Sequence, residues 1–409
     1  MPGRLLELHV ENFRSLRDVT VPLGPLTVLV GPNGVGKSNL LKVFDLLSDI
    51  IRTDLQPALD ARGGFDEVAF WGGPKPPTSM TVRLKATWTT HASVNAPDEY
   101  ELTVRRRKLR NREHAYSLSR SESFQFKRTQ GRGRRITVSG EEAKVVDRRA
   151  GKESDSGSFG IQRLSSGLST LPRLASSDGG EEVSKVADQL SSFRVFDVDV
   201  DAARQPSRLR RKTLFLQELS SEADNLAEFL FYLSTNDDTW QNLVADARTV
   251  LPQLDDIEFA RVGGSADQVT VILHERGLRR STPLADASYG TVRLLGLLAM
   301  LYDPNPPALT CVEEIDHGLH PQALELIVAR LREASERSQF LVATHSPALV
   351  NRLHPEEFVV CDRDEDGASI IPALTTDEVH AIVEESGDQP LGELWFSGVL
   401  GGDLTGGEL

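Results

Sequence analysis

A short glycine-rich run that ends in lysine and serine has the spacing of a phosphate-binding loop. It covers residues 31–38 and reads Gly-Pro-Asn-Gly-Val-Gly-Lys-Ser. Its glycines allow successive backbone N–H groups to converge on phosphate oxygens without a Cβ in the way. Lys37 can reach the β- and γ-phosphates, and the Ser38 hydroxyl can ligate Mg²⁺. We therefore expect this run to bind a nucleoside triphosphate.

The elements on either side of the loop have the order that such a site requires. Residues 26–30 form an apolar run typical of a buried strand, and apolar residues recur at helical spacing after the loop, at Leu40, Leu41, Phe44 and Leu47. The N-terminus of this helix adds roughly half a unit of positive charge beside the loop. Strand, glycine-rich turn and helix in succession favour a true phosphate loop over a chance match.

Two adjacent carboxylates, Glu313 and Glu314, follow a second apolar run at residues 308–312. An acidic residue at such a strand end can hold Mg²⁺ through water, and the next carboxylate can polarise an attacking water as general base. Because neighbouring residues on a strand point to opposite faces, we expect the two carboxylates to have different roles. The alternative is a polar strand end at a turn.

The composition is typical of a soluble protein that is long enough to bury a large core. The chain has 409 residues, a formal net charge of −14 and two cysteines, and residues 355–409 contain 14 Asp and Glu against one Arg. No apolar run approaches the roughly 18 residues of a membrane span, and the N-terminus does not resemble a signal peptide. We expect a cytoplasmic protein, nucleoid-associated if it binds DNA, with no membrane contact and no disulfide or zinc framework.

Between the loop and the carboxylates, the pattern changes from strand to helix and back. Period-2 alternation predicts antiparallel hairpins at residues 80–88, 100–108, 116–126 and 136–138. Loops are expected at residues 51–75, 154–158 and 176–180, and a mainly helical region at residues 181–251. Further strands are expected at residues 257–262, 269–274 and 340–343, and helices at residues 290–302 and 321–335.

The order of four segments resembles the RecF/SMC branch of ABC-type ATPase heads, and is most similar to RecF-like ATPases without a coiled coil. The segments read GPNGVGKS, ASYGTVRLLGLLAML, CVEEIDHGLHP and FLVATHSP. The chain is also similar to the ATPase part of the overcoming-lysogenisation-defect family. The resemblance implies an α/β fold, a P-loop NTPase of ABC-ATPase head type with an antiparallel β lobe and an inserted helical lobe. It implies a single ATPase head over residues 1–409. The nucleotide lobe is expected in two parts, residues 1–176 with the antiparallel β lobe and residues 255–409, with the helical lobe at residues 177–254 between them.

The resemblance also implies roles for single residues. Ser288 and Gly290 lie where the family's signature motif opens a helix that closes on the γ-phosphate held by a second subunit. His345 matches the switch histidine that senses γ-phosphate, and residues 316–321 match a subunit-contacting loop. Arg14 resembles an arginine near the base or phosphates, and Arg293 supports the signature contact; a surface role is equally open for both. The expected nucleotide-binding residues are Gly31, Pro32, Asn33, Gly34, Val35, Gly36, Lys37, Ser38, Asn39, Arg14, Ser288, Gly290 and Thr291, with Glu314 and His345 catalytic and Ser38 and Glu313 on Mg²⁺.

Three features depart from the family pattern or compete with it. The usual Mg²⁺-binding Asp is Glu313 here, and no glutamine-loop residue can be named. Residues 362–367 open like a calcium loop, but the twelfth position is Ala373 rather than Glu. They also resemble the acidic motif of Toprim nucleases, although only 64 residues follow His345. We interpret them as a charged turn between strands at residues 358–361 and 369–372.

A basic segment at residues 105–135 is a candidate nucleic-acid contact. It contains 12 Lys and Arg, from Arg105 to Arg135, against Glu113 and Glu122. If its strands carry these charges on one face, we expect contacts to the phosphates of double-stranded DNA. The alternative is a solvated hairpin surface that balances the acidic C-terminal segment, including across a dimer.

Together, these patterns predict an ATPase that uses ATP and Mg²⁺, forms a homodimer around two nucleotides, and acts on DNA in repair, recombination or genome defence. Two other classes stay open. A regulatory scaffold of a toxin or anti-phage complex would bind ATP and turn it over slowly. A transporter motor would need a glutamine loop and a membrane-subunit surface, and would not need the basic segment.

Overall fold

The strands at the centre of the molecule are apolar runs whose side chains are buried on both faces. Every residue of the strand at Leu26–Val30 and of the strand at Gln339–Thr344 is buried, and the two pair in parallel. Continuous rather than alternating burial is the pattern of a parallel sheet that is covered on both sides. The computed structural model describes residues 3–108, 116–129, 133–149, 152–209, 218–263, 267–387 and 389–401.

Strands dominate the first part of the chain, and helices alternate with strands in the rest. The strands are β1 (Leu5–Phe13), β2 (Leu16–Pro22), β3 (Leu26–Val30), β4 (Ser79–Ala86), β5 (Asp98–Lys108), β6 (Tyr116–Phe126), β7 (Gly133–Ser139), β8 (Glu142–Arg149), β9 (Lys152–Gly160), β10 (Arg194–Phe196), β11 (Ser207–Arg208), β12 (Leu254–Val262), β13 (Gln268–Glu275), β14 (Thr282–Pro283), β15 (Leu309–Glu313), β16 (Gln339–Thr344), β17 (Phe358–Val360), β18 (Asp362–Arg363) and β19 (Ser369–Ile370). The α-helices are α1 (Lys37–Thr53), α2 (Leu55–Asp60), α3 (Phe65–Val68), α4 (Gly167–Thr170), α5 (Gly180–Ser191), α6 (Val200–Ala203), α7 (Leu226–Leu233), α8 (Asp237–Val250), α9 (Tyr289–Leu301), α10 (Pro321–Ser335), α11 (Pro347–Val350), α12 (Thr376–Glu385) and α13 (Leu391–Phe396).

The parallel sheet has the strand order β10-β15-β16-β3-β17. β3 lies between β16 and β17, so a strand from the start of the chain is enclosed by strands from its last third. The carboxyl ends of β3, β15 and β16 therefore meet at one edge of the sheet. In open α/β sheets this edge is where ligands bind.

Two hydrophobic cores cover the parallel sheet, one on each face. Leu29 and Leu341 belong to the core that also contains α1, α5 and the inner face of the antiparallel lobe. Val28 and Val342 belong to the other core, with α7, α8, α9 and α10. Because successive side chains on a strand alternate between faces, each parallel strand contributes to both cores.

The antiparallel lobe is one eight-stranded sheet in the order β2-β1-β4-β5-β6-β7-β8-β9. The predicted hairpins are confirmed as β4 to β7, which pair in sequence. The expectation of a loop at residues 154–158 is wrong, because these residues lie in β9 and pair with β8. Their small polar side chains have low strand propensity, so strand pairing rather than intrinsic preference defines this element.

The middle of the chain differs from the sequence prediction in two places. Residues 51–75 contain the end of α1 together with α2 and α3, where only a loop was expected. The region at residues 181–251 holds α5 to α8, but β10 within it pairs in parallel with β15. The predicted division at residues 176 and 254 stays a prediction.

Some expectations concern residues outside the described ranges. These are residues 109–115 and 130–132 of the basic segment, and residues 388 and 402–409 of the acidic C-terminal segment. Among the helices that the structure describes, none combines the length and apolar character needed to cross a bilayer.

Candidate functional site

The phosphate loop joins β3 to α1, as its sequence predicts. The residue before α1 is Gly36, whose φ of 107° is left-handed and which provides no side-chain cap. A Cβ at this position would collide with Ser369 Oγ and lie 2.6 Å from Ser15 Oγ, so only glycine fits. The first N–H groups of α1 have neither a capping side chain nor an acidic residue in the first turn. They are available to donate to an anion.

The Lys37 ammonium lies inside the loop. Its Nζ donates to the carbonyl oxygens of Gly31 at 2.6 Å and Pro32 at 2.9 Å. Burial lowers the pKa of Lys37, while the Cys361 thiol and the carboxylates of the acidic pair oppose this shift. The loop therefore fixes the lysine charge close to both carboxylates, in the place where phosphate oxygens would need it.

Ser38 and Glu313 bring two oxygen ligands together from distant parts of the chain. Ser38 Oγ donates to Glu313 Oε2 at 2.8 Å. Hydroxyl and carboxylate oxygens are the ligands that Mg²⁺ prefers, so this pair fits the ion. Within the described residues, no group of three or more His, Cys, Asp or Glu could hold a metal. An ion at this pair would take its other ligands from phosphate and water.

Glu314 lies outside β15, and its backbone corrects one expectation from the sequence. The strand ends at Glu313, and Glu314 has a left-handed φ of 45°. The two carboxylates therefore line the same cavity instead of facing opposite sides of the sheet. A non-glycine residue in this conformation costs on the order of 1–3 kcal/mol, and such strain is concentrated at functional sites.

One cavity of about 150 Å³ brings most of the predicted residues together. Its lining consists of Asn33, Gly34, Gly36, Lys37, Ser38, Asn39, Glu313, Glu314, Ala343 and His345. His345 Nδ1 lies 3.9 Å from Glu314 Oε1, which is beyond hydrogen-bond distance. Of the other loop residues, Val35 is buried in the core, and Gly31 and Pro32 hold Lys37. We call this the nucleotide cavity.

The predicted signature residues begin α9 and are not among those that line the nucleotide cavity. Ser288 is the N-cap, and its Oγ accepts a bond from Thr291 N at 3.2 Å. A Cβ at Gly290 would lie 2.8 Å from Gly318 O, so glycine permits α9 to approach the loop after β15. Ser288 is exposed. This helix N-terminus is thus open to another molecule.

Arg293 has a structural role that the sequence did not predict. Its side chain is only 3% exposed, so it does not cover the surface. Its Nη2 donates to Glu314 O at 2.8 Å, and its Nη1 donates to Asp197 Oδ1 at 3.2 Å. Arg293 therefore ties the signature helix to the backbone that positions the predicted general base.

Arg14 is not among the residues that line the nucleotide cavity. It has a φ of 50°, and its guanidinium lies 5.6 Å from the ring centroid of Trp71. Burial lowers the pKa of Arg14, and repulsion by Arg62 lowers it further. A contact with the base or phosphates stays a prediction for this residue.

Several contacts around the loop had no signal in the sequence. Ser15 Oγ accepts a bond from Asn39 Nδ2 at 2.8 Å and lies 2.7 Å from Ser369 Oγ. Arg363 Nη1 donates to Gly34 O at 3.3 Å. In the acidic run, Asp362 and Arg363 form β18, and residues 364–367 form the turn that leads to β19. Ser369 and Arg363 come from the far end of the chain, and no local pattern reveals such pairing.

The loop after β15 is linked to the strand that precedes the predicted switch histidine. Thr344 Oγ1 donates to Asp316 Oδ1 at 2.6 Å and accepts from Ser346 N at 3.0 Å. His320 caps α10, since its Nδ1 accepts from Gln322 N at 3.3 Å. The subunit-contacting role of residues 316–321 stays a prediction.

Among its described residues, the basic segment distributes its charges over both faces of the sheet, and a contact with DNA through this segment stays a prediction. Arg105 and Arg107 are exposed, whereas Arg106 between them forms an ion pair with Asp66 on the other side. Arg120 is buried at 2% exposure, and Arg134 is paired with Glu182 and Asp147. Strand alternation separates neighbouring charges, so the net charge of the segment overstates the free positive surface.

Residues 26–351 match the family described as "AAA domain, putative AbiEii toxin, Type IV TA system". The chain belongs to this ATPase family. An OLD nuclease of Thermus scotoductus is 56% identical over 43 residues, which cover 10% of this chain and 8% of that protein. The structural maintenance of chromosomes protein 1 of Schizosaccharomyces pombe is 41% identical over 56 residues, which cover 13% of this chain and 5% of that protein. The matched segments are therefore less than a tenth of either relative.

Solved structures of SMC heads share the fold of this AAA-domain ATPase. An Smc head bound to the C-winged helix domain of ScpA has a TM-score of 0.54 at 14% identity, covering 92% of this chain and 99% of that one. An Smc head with an extended coiled coil from Pyrococcus furiosus has a TM-score of 0.51 at 14% identity, covering 94% and 99%. The predicted fold, an ATPase head of the ABC/SMC type, is confirmed. So is the prediction that the protein is an ATPase.

Proposed function

We propose that this ATPase is a switch that closes head to head on ATP and Mg²⁺, with DNA as the molecule it acts on. The observation that carries the proposal is the separation of two half-sites. The phosphate loop, both carboxylates and His345 line one cavity, while the exposed N-terminus at Ser288 lies outside it. A second copy would supply Ser288 and Gly290 to the γ-phosphate, because a helix N-terminus with a serine hydroxyl binds anions.

Each polar residue of the nucleotide cavity then has a distinct task. Lys37 and the first N–H groups of α1 hold the phosphates, and Ser38 and Glu313 hold Mg²⁺, which neutralises charge on the phosphates when bound. Glu314 acts as the general base on water. His345, 3.9 Å from Glu314, contacts the γ-phosphate. Hydrolysis would remove that contact and release the partner copy.

The decisive experiment replaces Glu314 by glutamine, which keeps its size but removes the base. We expect turnover to fall on the order of 100-fold or more, because general-base catalysis contributes 10²–10⁴. Nucleotide binding should persist, and the variant should remain dimeric with ATP and Mg²⁺ in size-exclusion chromatography with light scattering. Glu325→Gln, which alters an exposed glutamate of α10, is the matched control and should behave as wild type.

Two results would contradict separate parts of the proposal. Native turnover in Glu314→Gln would show that Glu314 is not the base. A chain that stays monomeric at high concentration with a non-hydrolysable ATP analogue and Mg²⁺ would refute the head-to-head dimer, and only nucleotide binding and hydrolysis would stand.

A second candidate function is a regulatory scaffold with slow turnover. The family description, which names a toxin and a type IV toxin–antitoxin system, favours it. Turnover measured with and without duplex DNA, at two salt concentrations, distinguishes the two. Stimulation that fades as salt rises supports action on DNA in repair or defence. ATP-dependent dimerisation without any stimulation supports the scaffold.

A further inference from the structure

Two neighbouring cavities lie on the outer face of the eight-stranded sheet, and their charges are arranged differently. The larger, of about 550 Å³, has both acidic and basic side chains in its lining. The smaller, of about 320 Å³, is lined by arginines and by serine and threonine hydroxyls. We call the smaller cavity the serine–arginine groove and define it by Arg105, Arg107, Ser117, Ser119, Ser121 and Arg163.

Strand pairing builds the groove from residues of β5 and β6. Arg105 lies opposite Ser119 and Arg107 lies opposite Ser117 in the antiparallel register. The intervening residues face inward, as the burial of Val104 and Leu118 shows. Each arginine therefore has a hydroxyl from the neighbouring strand beside it, and the two arginines are about 6.8 Å apart along the strand.

Three of the four cations that line the larger cavity, Arg83, Lys85 and Lys127, form ion pairs within the sheet. Arg83 Nη2 lies 2.7 Å from Glu101 Oε2, and Lys127 Nζ lies 3.5 Å from Glu99 Oε1. The serine–arginine groove has no such compensation. Within the part of the chain that the structure describes, no Asp or Glu lines it. Arg105, Arg107 and Arg163 are exposed there.

A buried arginine also borders the groove, but its charge is paired with a buried carboxylate, because Arg120 Nε lies 3.4 Å from Glu122 Oε1. Arg120 lines the groove and is 2% exposed. Its Nη2 donates to Gln162 O at 3.1 Å, while its Nη1 has no hydrogen-bond partner among the described residues. The uncompensated cations of this concavity are therefore the three exposed arginines, Arg105, Arg107 and Arg163. Uncompensated like charges at short range repel one another, and an anionic ligand would relieve that repulsion.

We infer that the serine–arginine groove binds the sugar–phosphate backbone of duplex DNA. Arginine and serine side chains are typical donors to phosphate oxygens, and such contacts position a protein without selecting a sequence. The repeat of two residues along β5 spaces the arginines comparably to neighbouring phosphates of one strand. This inference rests on the DNA part of the proposed function and assigns a site to it. It is independent of nucleotide binding and of the dimer.

The test compares two double variants that each remove two cations from the same sheet face. R105S/R107S removes them from the groove, and R83S/K85S removes them from the ion-paired cavity beside it. Affinity for a fluorescent duplex of random sequence is measured by anisotropy without nucleotide, over a series of salt concentrations. For R105S/R107S we expect about tenfold weaker binding at low salt and a slope of log K against log salt that is smaller by about 1.8. R83S/K85S should change affinity less than about twofold.

Thermal unfolding and basal ATP turnover of both variants should match wild type, since neither pair touches the nucleotide cavity. If R105S/R107S binds with unchanged affinity and slope, or R83S/K85S loses as much, the groove assignment is wrong. If the wild-type chain binds no duplex, both this inference and the DNA part of the proposed function fall. ATP-dependent dimerisation is scored separately and is unaffected by either outcome.

Discussion

The nucleotide cavity and the serine–arginine groove are both suited to phosphate, but they are built in different ways. In the nucleotide cavity, the donors are backbone N–H groups at a helix N-terminus, fixed by Gly36 and joined by the half-buried Lys37 ammonium. In the groove, the sheet already uses the backbone groups for strand pairing, so side chains alone remain as donors. Backbone donors are rigid, whereas arginine side chains lose conformational freedom when they bind.

This difference determines what each region can recognise. Fixed donors around a small cavity suit one compact anion, held in one orientation with a carboxylate base beside it. Long side chains on an open sheet face suit an extended polyanion with no sequence preference. The two regions should therefore respond to mutation independently, and the following predictions test that separation.

Lys37→Ala should have the largest effect, and only on the nucleotide cavity. A hydrogen bond to a charged group contributes about 1.5–3 kcal/mol, so ATP affinity should fall about 10–150-fold. Affinity for duplex DNA without nucleotide should stay within about twofold of wild type. Titration with a fluorescent ATP analogue measures the first, and anisotropy the second. Lys42→Ala, in the same helix but outside the cavity, is the control. If Lys37→Ala loses as much affinity for DNA as for ATP, the two regions do not act independently.

Arg293→Met should affect turnover more than nucleotide binding. It removes the bond to Glu314 O, so the predicted base loses its backbone anchor. We expect turnover to fall about tenfold and the free energy of unfolding to fall by about 1.5–3 kcal/mol. Arg332→Ala is the control. Arg332 Nε donates to Glu357 Oε1 at 2.7 Å, and neither residue lines the nucleotide cavity. It should lower stability without changing turnover per folded molecule. Normal turnover in Arg293→Met would show that the anchor is not needed.

The third variant, Glu122→Gln, tests how stability depends on pH. Burial raises the pKa of Glu122 above 4.5 in the folded chain, so folding favours its protonated form. Its stabilising contribution is complete below the unfolded pKa and is lost as pH rises through the folded one. The free energy of unfolding of wild type, relative to Glu122→Gln, should thus fall as pH rises above about 4.5, by at most about 1.4 kcal/mol per unit. Urea unfolding at several pH values measures this. If the difference in free energy of unfolding between wild type and Glu122→Gln does not change with pH, the pKa of Glu122 is not raised.

The nucleotide cavity was largely predictable because its parts are short local motifs. Glycine spacing, one lysine and a strand ending in Glu313 were enough to name most of its lining. What escaped prediction depends on backbone conformation or on distant pairing. The left-handed Glu314 places both carboxylates in one cavity, and Arg293 is buried because α9 packs against the end of β15. Neither fact follows from residue types alone.

Less of the antiparallel lobe than of the nucleotide cavity could be predicted from local sequence patterns. Its central hairpins were predicted from alternation, but β9 was not, because its serines and glycines favour a loop. The basic segment was noticed as a run of charge, yet its function depends on which residues share a face. In the folded sheet, Arg105 and Arg107 lie on one face and Arg106 lies on the other, where it pairs with Asp66. Charge counted along the chain is a poor guide to charge displayed on a surface.

The position of β3 has a consequence for how the protein is made. β3 is completed by residue 30, but its two sheet neighbours begin at residues 339 and 358. A ribosome working at 5–20 residues per second needs about 15–60 s to reach them. During that interval an apolar strand waits without its partners, while the hairpins of the β lobe can already form from local contacts. Nascent chains of this ATPase should therefore be clients for chaperones that shield hydrophobic segments, with competence to bind ATP acquired only after the C-terminal third has emerged.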